Sequence, residues 1–364
     1  MAKDEIFQPN WISAPGDTIA DLLAERDLSL VQFAQRMECK PEFASQLLTG
    51  REAITVAIAR RLESTLGGSA SFWITRESQY RADAVRLNRE SQSSAAEEWL
   101  KEIPLRDMIS FGWIKPVSSS TPARETACLS FFHVPDVGAW REKYRGALEM
   151  AVFRTSSSFD SQPGAVAAWL RQGEIEAASI DCKPWDAQRF RRALSSIRPL
   201  TRKKDPSFFF PELQKRCAEC GVAVVIVRAP TGCRASGATR FVSTNKALLL
   251  LSFRYLSDDH FWFTFFHEAG HLLLHGQKAL FLEGAGMSSN KEEGEANEFA
   301  ARVLIPPELQ AAMLDLGLNG REVIRFARLA GVSPGIVVGQ LQHHGKIKRN
   351  QLNTLKRRYR WGSD

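Results

Sequence analysis

Apolar positions in the first ninety residues recur at helical spacing in short, separately punctuated runs. Asp17–Glu25 places Ile19, Leu22 and Leu23 on one face. Ser29 followed by Gln32 is a capping-box start, and Phe33, Ala34 and Met37 continue the apolar face behind it. The break Glu38-Cys39-Lys40 leads to Pro41 at a first helical position, and that helix runs through Leu48 to a stop at Gly50. Thr55 caps a fourth helix with Ile58, Leu62 and Leu66 turned inward, and Gly67-Gly68 ends it. Ser69 opens a fifth, Ala70–Val85.

Residues 90–115 read as helical with one polar face, and Val117–Ala123 as a linker. The helical pattern resumes from Arg124 to about Ser196 and includes Gln162–Asp181. Beyond Arg198 the texture changes. A helix over Pro206–Cys220 precedes the β-branched run Val222–Val227, and Thr239–Ser243 and Ala247–Phe253 are two further strands. A long aromatic-rich helix, Asp259–His275, a Gly/Ser loop over Glu283–Asn290 and a helical last third complete the chain.

With 364 residues, 44% of them hydrophobic, the chain is long enough for two or three domains with full cores. Six cysteines are too few for a disulfide scaffold. The segment MAKDEIFQPN lacks an apolar signal core, and no apolar run approaches the length of a membrane helix. These features point to a cytoplasmic protein with reduced thiols. The net charge of +7 would suit a nucleic-acid partner, but residues 1–90 hold 11 basic against 13 acidic side chains. The excess sits instead in residues 181–216, with 10 basic against 4 acidic, and in the tail Lys346–Arg360.

Five short helices with a tight turn between the second and third match a helix-turn-helix layout. A third helix entering a major groove would turn Glu42, Phe43, Ser45 and Gln46 toward base edges. Gln32, Lys40 and Arg51 would then meet phosphates. A dimerisation bundle that binds no DNA is the competing reading.

The densest chemistry lies between residues 260 and 275, which hold four of the seven histidines. His267-Glu268-Ala269-Gly270-His271 is an H-E-x-x-H pattern, whose i, i+4 histidines share a helix face and can grip one Zn²⁺. Glu268 then stands at the open position as general base. His275 continues the series but lies about 12 Å from His267 along a helix, too far for the same ion; it is expected to bond the last-turn carbonyls. The third ligand would be a carboxylate from the next helix. Glu292, Glu293, Glu295 and Glu298 all compete, and Asn297, one turn beyond Glu293, is placed to orient a ligand histidine.

HEAGHLLLH followed by EGEANEFAARVLIPP resembles the ImmA/IrrE family of bacterial metallopeptidases. The resemblance extends through SGATRF (Ser236–Phe241), DDHFWFTFFHE and GVSPGIVVGQLQHHG, and covers about residues 185–345. It implies Glu293 as third ligand, zinc as the metal (with manganese as an alternative), and site-specific cleavage of a repressor or antitoxin. GDTIADLLAERDLSLVQFAQRM, PEFASQLLTGREAIT and the SASFWI helix resemble the XRE-type helix-turn-helix of HigA-like antitoxins over about residues 10–87.

The resulting expectation is a mostly helical chain. An α-helical helix-turn-helix domain (10–88) leads through a helical connecting region (89–184) to an α+β zincin-like domain with a small sheet (185–345) and a basic tail (346–364). It would act as a homodimer on a palindromic operator and touch no membrane. The rival expectation is a non-enzymatic, HigA-like regulator whose metal domain senses or braces.

Three further features carry expectations. Thr239–Ser243 would dock an extended substrate by strand addition. Cys217-Ala218-Glu219-Cys220 reads as one buried and one half-exposed thiol. Val323–Leu329 with Ser333–Gln342 reads as a hairpin packed on the metal domain, and the tail as a solvated helix face.

Overall fold

The computed structural model describes residues 11–153, 162–275, 281–284, 291–317 and 319–362. The chain divides into two compact units, Met1–Glu98 and Trp99–Asp364.

The first unit contains α1 (Pro15–Glu25), α2 (Leu30–Arg36), α3 (Pro41–Leu48), α4 (Val56–Leu66) and the start of α5 (Ala70–Glu102). Its boundaries follow the local chemistry. Ser29 Oγ accepts from Gln32 N while Gln32 Oε1 accepts from Ser29 N, closing the capping box. Thr55 Oγ1 caps α4, and Gly67 ends it at φ 75°. Ile19, Phe33, Met37, Leu47, Leu62 and Trp73 form the buried core. In α4 the inward positions are Ala59, Leu62 and Leu66, with Ile58 only half-buried. The fifth helix runs to Glu102 instead of stopping at Val85, because no glycine or proline interrupts the sequence before Pro104.

The second unit continues with α6 (Leu105–Ser110), α7 (Thr121–Phe132), α8 (Val137–Phe153), α9 (Pro163–Ala178), α10 (Ala187–Ile197) and α11 (Pro206–Ala218). A 3-10 turn, Arg198–Arg202, links the last two. Four strands follow: β1 (Val222–Ile226), β2 (Ala235–Ser243), β3 (Lys246–Leu251) and, after α12 (Asp258–Leu274), β4 (Phe281–Gly284). The sheet order is β1-β3-β2-β4, with β1 parallel to β3 and β2 antiparallel to both its neighbours. Then come α13 (Lys291–Leu304), α14 (Pro307–Leu314), α15 (Gly320–Ala330) and α16 (Pro334–His343).

The unbroken apolar run of β1 is explained by burial on both faces. Val222 and Val224 face a core built with Phe261, Trp262, Phe265, Phe266 and Ala269 of α12. Ala223 and Val225 face Ala165, Val166, Trp169 and Leu170 of α9, whose Trp169 Nε1 donates to Val227 O at 2.9 Å. The helical segment expected only to connect two domains thus supplies one cover of the sheet. Strand β4 was not expected from sequence, and of the loop expected over 283–290, residues 285–290 lie outside the described residues.

The C-terminal hairpin α15–α16 packs on the α12 core through Val323, Phe326, Ile336 and Val337. The basic tail is not a solvated helix. It carries a short 3-10 turn, Asn353–Leu355, and then lies against the start of α12. Lys356 Nζ pairs with Asp259 at 2.6 Å with both side chains nearly enclosed, and Asp258 accepts from Arg357 N and Ser333 Oγ. Burial pushes the Asp258 carboxyl up, and the Ser333 and Arg357 hydrogen bonds pull it back.

Candidate functional site

The middle turns of α12 bring His267 and His271 onto one buried face, with their Nε2 atoms 2.9 Å apart. From α13, Glu293 reaches the same point, its carboxylate oxygens 3.4 Å from His267 Nε2 and 3.7 Å from His271 Nε2. Among the described residues these three side chains alone form a group able to hold a metal ion. Metal–ligand bonds near 2.0–2.1 Å in a tetrahedral site place donor atoms about 3.3 Å apart. The two carboxylate separations are close to that value, and the histidine pair needs only a small opening. Two imidazoles and one carboxylate therefore fit a divalent ion with a position left open.

The close approach of the two helices has a local cause. A Cβ at Gly270 would stand 3.1 Å from Phe299 Cδ1 and 3.3 Å from Ala296 Cα, so glycine lets α13 lie near α12. Of the competing carboxylates, Glu292 and Glu298 are exposed, and Glu295 turns to His275.

Each ligand ring is held from behind. His267 Nδ1 lies 3.0 Å from Asn297 Oδ1; donating there leaves the Nε2 lone pair facing the centre. His271 Nδ1 lies 3.0 Å from His275 Nδ1, and His275 Nε2 lies 3.0 Å from Glu295 Oε2. His275 is outside the ligand group, as its distance along the helix requires, but its ring does not bond the last-turn carbonyls as expected. It links His271 to an acid instead, because the end of α12 faces the second turn of α13.

Glu268 is fully buried beside the pair, and its Oε2 accepts from Thr239 Oγ1 at 3.0 Å. The contact depends on Gly237 in β2, where a Cβ would lie 2.5 Å from Glu268 Oε1 and 2.7 Å from Thr264 Cγ2. Sequence reasoning gave Gly237 no role, saw Thr239 only as part of a docking strand and weighed Glu295 only as a competing metal ligand. The signal for the first two was the glycine inside a strand pattern, which marks close approach by another element.

Ala235 to Thr239 pair with β4 on one side and Gly237 to Ser243 with β3 on the other, so of the segment Thr239–Ser243 expected to dock a substrate only Thr239 is paired on both sides among the described residues. Cys217 and Cys220 are both buried, and burial raises both thiols.

In the first unit, Glu42, Ser45 and Gln46 share the exposed face of α3, with Lys40 exposed at its N-cap and Arg51 exposed just beyond it. Phe43 is half-buried and packs on the core, so its ring serves packing. Gln32 is exposed, with Oε1 committed to the capping box.

Residues 221–342 match the Peptidase M78 family, described as the IrrE N-terminal-like domain. The N-terminal region is 38% identical over 82 residues to YddM, an uncharacterized HTH-type transcriptional regulator of Escherichia coli K12, covering 21% of this chain and 87% of the relative. A solved structure of a candidate antidote protein of a plasmid maintenance system from Nostoc punctiforme is 26% identical, covering 23% of this chain and 93% of that one, with a TM-score of 0.21. No helix among the described residues is long and apolar enough to cross a membrane.

Proposed function

We propose, for a chain that belongs with the HTH-type transcriptional regulators through its N-terminal region and carries an IrrE-like Peptidase M78 domain over 221–342, the role of a DNA-binding regulator. On this reading its second unit is a zinc-dependent endopeptidase that cuts one regulatory protein, a repressor or antitoxin, at a defined site. The observation that carries this reading is the convergence of His267, His271 and Glu293 beside a buried glutamate.

His267, His271 and Glu293 would hold the ion, which when bound supplies Lewis acidity toward a peptide carbonyl. Glu268 takes a proton from the attacking water and delivers it to the leaving amine. The Thr239 hydroxyl fixes the Glu268 carboxylate through Oε2. Asn297 and His275 keep the two ligand rings in orientation. On the first unit, Ser45, Gln46 and Glu42 would read base edges, while Lys40, Arg51 and Gln32 would meet phosphates.

A capture experiment tests the reading. The full chain carrying Glu268→Gln should retain metal and co-purify with an uncut protein that the wild-type chain releases in two pieces. Identical uncut partners on both chains would favour a regulator whose metal domain only braces.

A further inference from the structure

Arg191 and Arg198, two of the ten basic residues of 181–216, meet at a concavity of about 290 Å³ between α10 and α13. Arg191, Leu194 and Arg198 line it from α10 and the following 3-10 turn, and Phe299, Arg302 and Val303 from α13. None of these residues belongs to the metal-holding group.

The floor is apolar and the rim is cationic. The Arg191 guanidinium lies 5.8 Å from the centre of the Phe299 ring. Among the described residues Arg302 pairs with Glu298, in a bridge with both side chains about 60% exposed, which solvent screens heavily. Neither Arg191 nor Arg198 pairs with a carboxylate among the described residues. Arg198 Nε is enclosed by protein with no acceptor within reach.

A guanidinium fork matches the paired oxygens of a carboxylate or phosphoryl group. An apolar floor beside three such forks selects an anion carried on an aryl or alkyl body over a bare inorganic ion. We infer that this concavity is a binding site for a small organic anion, a carboxylate or phosphate ester. Because α13 also carries Glu293, an occupant bridging Arg198 to Arg302 braces the helix that supplies the third candidate ligand.

The inference is independent of whether the chain cuts proteins. Calorimetric titration of the full, zinc-loaded chain with phenyl phosphate, phenylacetate and inorganic phosphate tests it. One of the aryl anions should bind saturably and about tenfold or more tighter than inorganic phosphate, and the better of the two identifies the anionic group. Arg191→Gln, at an exposed position, and Arg198→Gln should each weaken that binding about tenfold while zinc content stays unchanged. No saturable aryl-anion binding, equal affinity for inorganic phosphate, or binding unaffected by Arg191→Gln would overturn the assignment. Displacement of the aryl anion by short duplex DNA would also overturn it, in favour of a nucleic-acid surface.

Discussion

His271 shows how far the centre reaches beyond its ligands, since its ring is backed by His275 and, through it, by Glu295. His267→Ala or Glu293→Ala should abolish stoichiometric zinc, because two remaining donors hold the ion poorly. His275→Ala should keep the ion with affinity lowered about 10–100-fold, read by competition with a chromogenic chelator. Retention of zinc in Glu293→Ala, or an unchanged affinity in His275→Ala, would contradict the proposed arrangement. Gly237→Ala should leave zinc bound but displace Glu268, so cleavage should fall as in Glu268→Gln. At this scale the H-E-x-x-H spacing was legible because both histidines lie on one helix. Thr239 and His275 found partners on other elements, 29 and 20 residues away, and spacing along the chain carries no record of such contacts.

Helix α12 is fixed at its start by residues nearly a hundred positions later. Asp259 is paired with Lys356, and Asp258 accepts from Arg357 N and Ser333 Oγ. Lys356→Met should strand a buried carboxylate and cost about 3–5 kcal/mol, measured by urea denaturation of the metal-loaded chain. The same variant should expose the bonds after Arg357 and Arg358 to trypsin. A stability within about 0.5 kcal/mol of wild type would show that the tail merely rests on the domain. Most helices were legible from caps and periodicity: Ser29, Pro41 and Thr55 start their helices where the sequence places them. The tail misled because its basic composition suggested solvation, whereas Arg357 donates to the Thr201 and Lys203 carbonyls and Tyr359 is buried. Strand β4 was hidden because it has only four residues and is defined by its pairing with β2.

Across the whole chain, the net charge of +7 coexists with a net −2 over residues 1–90, so DNA affinity cannot rest on bulk attraction. In the proposed DNA complex Lys40, Arg51 and the exposed Arg36 would supply few phosphate contacts, and useful affinity would then need two copies on a two-fold operator about one turn apart. Gel shifts with the region upstream of the chain's own gene should show dimeric, salt-sensitive binding. Lys40→Ala should weaken binding to all sequences alike, while Gln46→Ala should relax base preference. A shift that survives deletion of residues 1–90 would reassign the first unit to protein docking. The helix-turn-helix was legible because its five helices are local; the sheet's second cover, α9, was not, since the strands it covers lie 45 or more residues later in the chain. The central claim is that a regulator of this layout cuts its partner, and an intact-mass time course on the co-purified partner tests it most directly. Zinc-loaded wild type should generate one pair of complementary fragments and Glu268→Gln none. A partner left whole by wild type under conditions that activate the pathway, or cut equally by Glu268→Gln, would contradict the account.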